Sequence, residues 1–177
     1  MFRFLILLLI CLPVWALAQA PYFQQEVHYR ISATLNDTAH VLNAQLSLRY
    51  INNSPDTLQE IWFHLWPNAY QDQTTAFAAQ AIREGKSRFY FAKDNLLGNI
   101  TGLDFRINDK AIQWMLDSQN PDIAVLRLDV PLLPKQSIEI KTPFVVKIPA
   151  SFSRLAHVGQ SYQMTQWYPK PAVYDRD

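Results

Sequence analysis

Val41-Leu42-Asn43-Ala44-Gln45-Leu46-Ser47-Leu48-Arg49-Tyr50-Ile51-Asn52-Asn53-Ser54-Pro55-Asp56 is the stretch on which the fold turns. Leu42, Ala44, Leu46, Leu48 and Tyr50 alternate with polar residues, the period of a strand with one buried face. Asn52-Asn53-Ser54-Pro55-Asp56 then ends the alternation with strong turn chemistry. On the N-terminal side, Val27, Tyr29, Ile31, Ala33 and Leu35 keep the same period, and Asn36-Asp37 marks the turn between. Two strands of this length on a short loop predict an antiparallel pair. On the C-terminal side, Leu58, Ile61, Phe63 and Leu65 predict a third strand, stopped by Pro67.

Residues 74–84 carry the one helical pattern. Phe77, Ala78, Ala81 and Ile82 share a face, Asp72 or Thr74 can cap the start, and Gly85 closes the end. Short strands are expected around 100–107, 112–116, 124–130 and 137–148. Pro143 argues for an edge position or a bulge in the last of these. The sum is an all-β fold, an antiparallel β-sandwich with one inserted short helix. Residues 151–177 show weak periodicity, and the sequence contains neither an internal repeat nor a low-complexity segment.

The fold is preceded by a different kind of segment. Arg3 gives a short positive start, Phe4 to Leu12 are all apolar, Pro13 breaks any helix, and Ala16, Ala18 and Ala20 follow. That combination is the signature of a signal peptide. A spanning helix needs roughly 20 apolar residues, and this stretch is shorter and interrupted, so no stable membrane anchor is expected after cleavage. Ala16-Leu17-Ala18 and Ala18-Gln19-Ala20 both fit the cleavage pattern. The first fits better, because a cut after Ala20 would fall at the tertiary amide of Pro21. Residues 1–18 are therefore read as the leader and 19–177 as the domain, exported to the periplasm or secreted.

Cys11, the single cysteine, lies in that leader behind Ile10, a poor context for lipidation. Without it, neither disulfides nor cysteine-held metal can support the domain. Arg3 is the leader's one charged residue, so the chain's 16 basic and 15 acidic side chains become equal in number on its removal. No block of like charge appears, which argues against nucleic acid as a partner. Arg83, Lys86 and Arg88 read as a solvated helix end. With four glycines in the chain, no glycine-rich phosphate loop can be built.

A helical zinc peptidase site needs His-Glu-x-x-His, where two histidines share a helix face and the glutamate activates water. His28, His40, His64 and His157 offer no such pair, and none is followed by glutamate. His28 and His64 fall on the polar side of their strands and read as surface or hydrogen-bonded residues. Gly159-Gln160-Ser161 lacks the second glycine of a serine-hydrolase elbow. Nothing singles out a carboxylate pair for glycoside cleavage. Asn36, Asn52 and Asn99 head N-x-S/T triplets, relevant only in a glycosylating secretory pathway.

Two aromatic-rich segments remain, Ile61-Trp62-Phe63-His64-Leu65-Trp66-Pro67-Asn68-Ala69-Tyr70 and Tyr162-Gln163-Met164-Thr165-Gln166-Trp167-Tyr168-Pro169-Lys170-Pro171-Ala172-Val173-Tyr174-Asp175. In the first, alternation puts Phe63 and Leu65 on one face and Trp62, His64 and Trp66 on the other. One account is a strand buried on both sides. The other is a docking face for a further domain or an extended ligand.

These segments, with the 74–84 helix and the strand pair ending at Asn52-Asn53-Ser54, resemble in the same order those of exported bacterial members of the aminopeptidase N family, the gluzincin aminopeptidases. The resemblance spans essentially the whole chain after the leader. It implies an N-terminal β-sandwich domain that docks on a thermolysin-like catalytic domain and helps gate its substrate. In the family that second domain binds zinc through His-Glu-x-x-His and a distant glutamate, and removes N-terminal residues from peptides. Thr165-Gln166-Trp167-Tyr168 matches the family segment that holds the free amine of the substrate. Gln166 is thus the candidate contact. Tyr168 stands where many relatives carry a second Gln or Glu.

No zinc site, general-base glutamate or other catalytic residue falls within residues 1–177. The resemblance therefore implies a piece lacking its catalytic domain, with that domain and a peptide as partners and no cofactor of its own. Two other readings stay open. One is a stand-alone exported binding module for glycan or peptide, with Trp62, Trp66 or Trp167 as a stacking platform. The other is a structural domain whose aromatics all lie in the core.

Overall fold

In a computed structural model that describes residues 22–175, the chain is all-β with a single α-helix among those residues. The leader, residues 1–18, and the cut points at Ala18 and Ala20 lie outside the described residues. The strands are β1 (Glu26–Asn36), β2 (Val41–Ile51), β3 (Leu58–His64), β4 (Asn99–Thr101), β5 (Arg106–Ile107) and β6 (Lys110–Ala111). They continue as β7 (Trp114–Leu116), β8 (Ile123–Leu132), β9 (Ser137–Lys147), β10 (Leu155–Val158), β11 (Ser161–Met164) and β12 (Lys170–Pro171). The helix α1 is Ala76–Arg83, and a 3-10 turn, Trp66–Tyr70, precedes it.

Two antiparallel sheets face each other. The larger runs β1-β2-β9-β5-β6, with β4 also on β9, and the smaller runs β12-β3-β8-β7. The decisive alternation becomes one inward row: Leu42, Ala44, Leu46, Leu48 and Tyr50 are all buried. Opposite them in β9 stand Val146, Phe144, Thr142, Ile140 and Ile138, in unbroken register. From the second sheet Ile61, Phe63, Ala124 and Leu126 close the core, and Phe63 meets Phe105 at 5.2 Å between ring centroids. Each large side chain so buried contributes about 1.5–3 kcal/mol.

Several expectations are corrected. The inward row of β1 is only partly covered: Val27 and Ile31 pack on the core, but Leu35, on this edge strand, is 42 % exposed. Pro143 occupies neither an edge nor a bulge. It sits in the central strand opposite Gln45, in the gap where β4 ends opposite Val145 and β5 begins opposite Lys141. A proline lacks an N–H, and here no strand stands on that side to receive one. A bulge lies instead in β3, between Leu58 and Glu60, and explains why Leu58 and Ile61 are both buried three residues apart.

The helix is shorter than its pattern and capped by a different residue. Thr75 Oγ1 accepts from the Ala78 N–H, while Asp72 Oδ1 accepts from the N–H and hydroxyl of Thr74 in the turn before it. Ala78 and Ala81 are buried, but Ile82 is exposed, so the buried stripe is narrower than expected. Gly85, with φ 75°, does close the helix. The expected strand at 100–107 is interrupted from Gly102 (φ 68°) to Phe105, and the one at 112–116 shortens to Trp114–Leu116; between them an Asn108-Asp109 turn closes a β5–β6 hairpin. Positive φ at both residues is the signature of a two-residue hairpin turn. The weakly periodic tail contains a β10–β11 hairpin turned at Gly159-Gln160, then β12 pairing with β3.

Candidate functional site

Beside α1 the smaller sheet leaves a cleft of about 600 Å³. Its walls are Trp66 and Tyr70 of the 3-10 turn, Phe77 and Gln80 of α1 with Glu84 just after it, the strap 86–89, residues 151–155, and Thr165-Gln166. Thr75 fixes the helix against the turn, since its hydroxyl also donates to the Ala69 carbonyl at 2.9 Å. The apolar lining is one aromatic run in edge-on contact: Tyr70 on Phe77 at 4.9 Å, Phe77 on Phe89 at 5.0 Å, and Phe89 on Phe152 at 5.0 Å.

Charge lies at the mouth. Arg88 places its guanidinium 5.5 Å from the Phe152 ring centre and donates to the Ser151 carbonyl at 3.0 Å. It therefore lines the cleft while staying exposed, as the sequence reading of a solvated residue expects. Glu84 accepts from Lys86 Nζ at 2.8 Å and from Gln80 Nε2 at 2.7 Å. Those two hydrogen bonds, Lys86 first, hold its carboxyl below the usual carboxylate range. The cleft thus combines an aromatic lining with an ion pair and an arginine, which suits a ligand with both polar and apolar groups.

The two residues singled out by the family resemblance part company here. Gln166 lines the cleft, is exposed, and has φ 54°. Its side chain makes no hydrogen bond among the described residues, and its neighbour Thr165 is anchored by donating to the Arg154 carbonyl at 2.8 Å. Tyr168 faces away, edge-on to Tyr29 at 5.4 Å and to Trp167 at 5.4 Å. The Tyr29 phenol is pushed up to about 12, by burial first and then by Tyr168.

The three tryptophans do not form one platform. Trp66 lines the cleft, and Trp167 packs half-buried on Phe144. Trp62 is 44 % exposed on the outer face of β3, its indole N–H donating to Glu60 at 2.7 Å. That exposure overturns the account of β3 as buried on both sides. His64 stacks on Trp66 at 4.7 Å, and the Nδ1 of one and Nε1 of the other are buried without a hydrogen-bond partner among the described residues. Burial lowers the His64 pKa; Lys170 acts in the same direction and Asp122 opposes it.

The remaining histidines are engaged elsewhere, His28 with Glu26 at 2.6 Å and His40 with His157. Among the described residues no three His, Cys, Asp or Glu groups gather as metal ligands. The described residues therefore do not fit a zinc ion. No protein-family model matches the chain, and no curated protein matches it. Sequence reasoning missed Arg88, Phe89 and Phe152 as cleft residues, since they lie in aperiodic connections and their ring contacts come from far along the chain.

Proposed function

We propose that this chain is the N-terminal docking and substrate-gating domain of an exported zinc aminopeptidase, inactive alone, with Gln166 reaching toward the peptide amine. The observation that carries the docking half is an apolar row across the outer face of the smaller sheet. Met115 stands opposite Val125, and Val125 opposite Trp62, in register across β7, β8 and β3. Met115 is 50 % and Trp62 44 % exposed. The outer face of a sandwich is ordinarily polar, and contiguous apolar surface there marks an interaction site. The zinc, the general base and the chemistry would belong to the partner domain.

The test is made on the polypeptide that carries this segment in its source cell. It is captured with an antibody raised against residues 22–175, sized, assayed for zinc, and incubated with peptides bearing a free N-terminus. The expected result is about one zinc per chain and stepwise release of N-terminal residues, lost to a chelator and restored by zinc. A captured chain without zinc that releases nothing would sink the proposal. The exposed, Glu60-anchored ring of Trp62 would then favour the second reading, a stand-alone module that stacks on glycan or peptide.

A further inference from the structure

The tip of the β10–β11 hairpin is fastened to the β1–β2 turn by three rings. His40, in that turn, stacks on His157 of β10 with ring centroids 3.6 Å apart and planes 17° from parallel. Tyr162 of β11 places its hydroxyl 2.8 Å from His40 Nδ1 and donates to the Asp37 carbonyl at 3.1 Å. A phenol has one hydrogen and a carbonyl can only accept, so His40 Nδ1 is the protonated nitrogen that donates to the phenol oxygen. By the same rule His157 Nδ1 points its hydrogen at the Gly159 carbonyl, 3.4 Å away. That leaves Nε2 as the other protonation site of each ring, and among the described residues no hydrogen bond reaches either one.

The charged surroundings are sparse. The turn supplies Asp37, whose carboxylate accepts from Gln160 Nε2 at 3.4 Å. The hairpin residues 155–164 carry no Asp, Glu, Lys or Arg. From β9, Lys147 stands opposite Val41 in register, but its ammonium is committed to the Asp94 carbonyl at 2.8 Å.

We propose that this histidine pair is an acid-released latch: proton uptake at the two Nε2 atoms sets like charges face to face, and the hairpin tip leaves the β1–β2 turn. Stacked neutral imidazoles attract, whereas two imidazolium ions at this spacing repel through partly desolvated space. Burial, and then His40, hold the His157 pKa below the usual imidazole value. The docked hairpin therefore binds fewer protons than the released one, and docking weakens as pH falls through the imidazole range. The hairpin lies between residues 151–155 and Gln166, so its release loosens one wall of the cleft. The latch is independent of what the cleft binds.

Hydrogen exchange of the full chain, followed between pH 5 and 8 and corrected for the intrinsic pH dependence of exchange, reads this directly. Protection across 155–164 and 37–40 is expected to fall severalfold on acidification. The opening constant grows by at most about tenfold per pH unit for each proton taken up. The fall should vanish in His157→Gln, and in His40→Gln the remaining His157 should titrate closer to the usual imidazole value by NMR. Should His40→Gln fail to fold, the wild-type titration still decides: His157 protonating at the ordinary value overturns the latch. So does protection that is flat with pH, or equally pH-dependent in His157→Gln.

Discussion

Asn68 Oδ1 accepts a hydrogen bond from the backbone N–H of Ile100 at 2.9 Å, joining the 3-10 turn to the start of β4. The same side chain donates from Nδ2 to the Pro121 carbonyl at 2.9 Å, so one buried amide ties three separate chain segments around the cleft. A side chain in this position is a strut. Replacing it with alanine leaves a buried N–H and a carbonyl without partners, and each costs more than the bond it lost. Asn68→Ala is expected to lower stability by about 2–4 kcal/mol, seen as a lower urea midpoint with an unchanged slope.

Gly98 and Gly85 should respond to alanine for opposite reasons. A Cβ on Gly98 would lie 2.6 Å from the Lys147 carbonyl oxygen and 2.6 Å from Pro149 Cδ, neither of which can swing aside. Gly98→Ala is expected to cost about 3 kcal/mol by forcing β4 away from β9. At Gly85 a Cβ meets nothing within 4 Å, and the cost is only that of φ 75°. Gly85→Ala should cost about 1 kcal/mol. Paired denaturant melts check the order, and equal losses would show that backbone conformation, not space, governs both sites.

Alkaline pH should unfold the protein through its tyrosines. The Tyr50 phenol, 1 % exposed, is pushed up to about 12, by burial first and then by Tyr174. The unfolded phenol ionises near about 10, so between the two values the unfolded state gives up its proton while the folded one keeps it. The stabilisation is whole below pH 10 and is lost as pH rises toward 12. A spectrophotometric titration is expected to show Tyr29 and Tyr50 ionising late, and Tyr50→Phe to flatten the loss of stability above pH 10.

On the outer face of the smaller sheet, substitutions should leave the fold alone and disturb association. Trp62→Ala with Met115→Lys removes two exposed apolar groups from the row that also holds Val125. Surface changes of this kind usually alter stability by less than about 1 kcal/mol. The domain is expected to melt nearly as before while, if the proposed catalytic domain docks on this face, protease access at the junction between the two increases in the polypeptide that carries both. Unchanged access would remove the row from any docking role.

The architecture was largely written in the alternation of β2 and its flanking strands, because a row such as Leu42 to Tyr50 has one way to be buried. The helix was legible in kind but not in its bounds, since Thr74 and Thr75 are equally good caps in sequence and only the reach to Ala69 chooses Thr75. The β10–β11 hairpin was hidden, because Tyr162 and Met164 alternate for just one short strand while His40 and Asp37 hold its tip from far along the chain. Asn52 shows the same limit. It heads a glycosylation triplet in sequence, yet its side chain is wholly buried, donating to the Asp56 and Leu132 carbonyls. Of the cleft, Arg88 was not legible, because its place there depends on Phe152 lying beneath it.

The pairing of β2 with β9 sets how this chain must reach its native state. Ser47 and Glu139, which bond across that pair, are 92 residues apart. Local hairpins close in microseconds, but a strand whose partner lies so far along the chain waits on a slow, entropically costly encounter. During that wait the β1–β2 hairpin, complete in its turn at Asn36, holds Leu46, Leu48 and Tyr50 against solvent with nothing to cover them. A half-built sheet is therefore the expected point of misassembly, with the inward row of the hairpin the surface left open until β9 arrives.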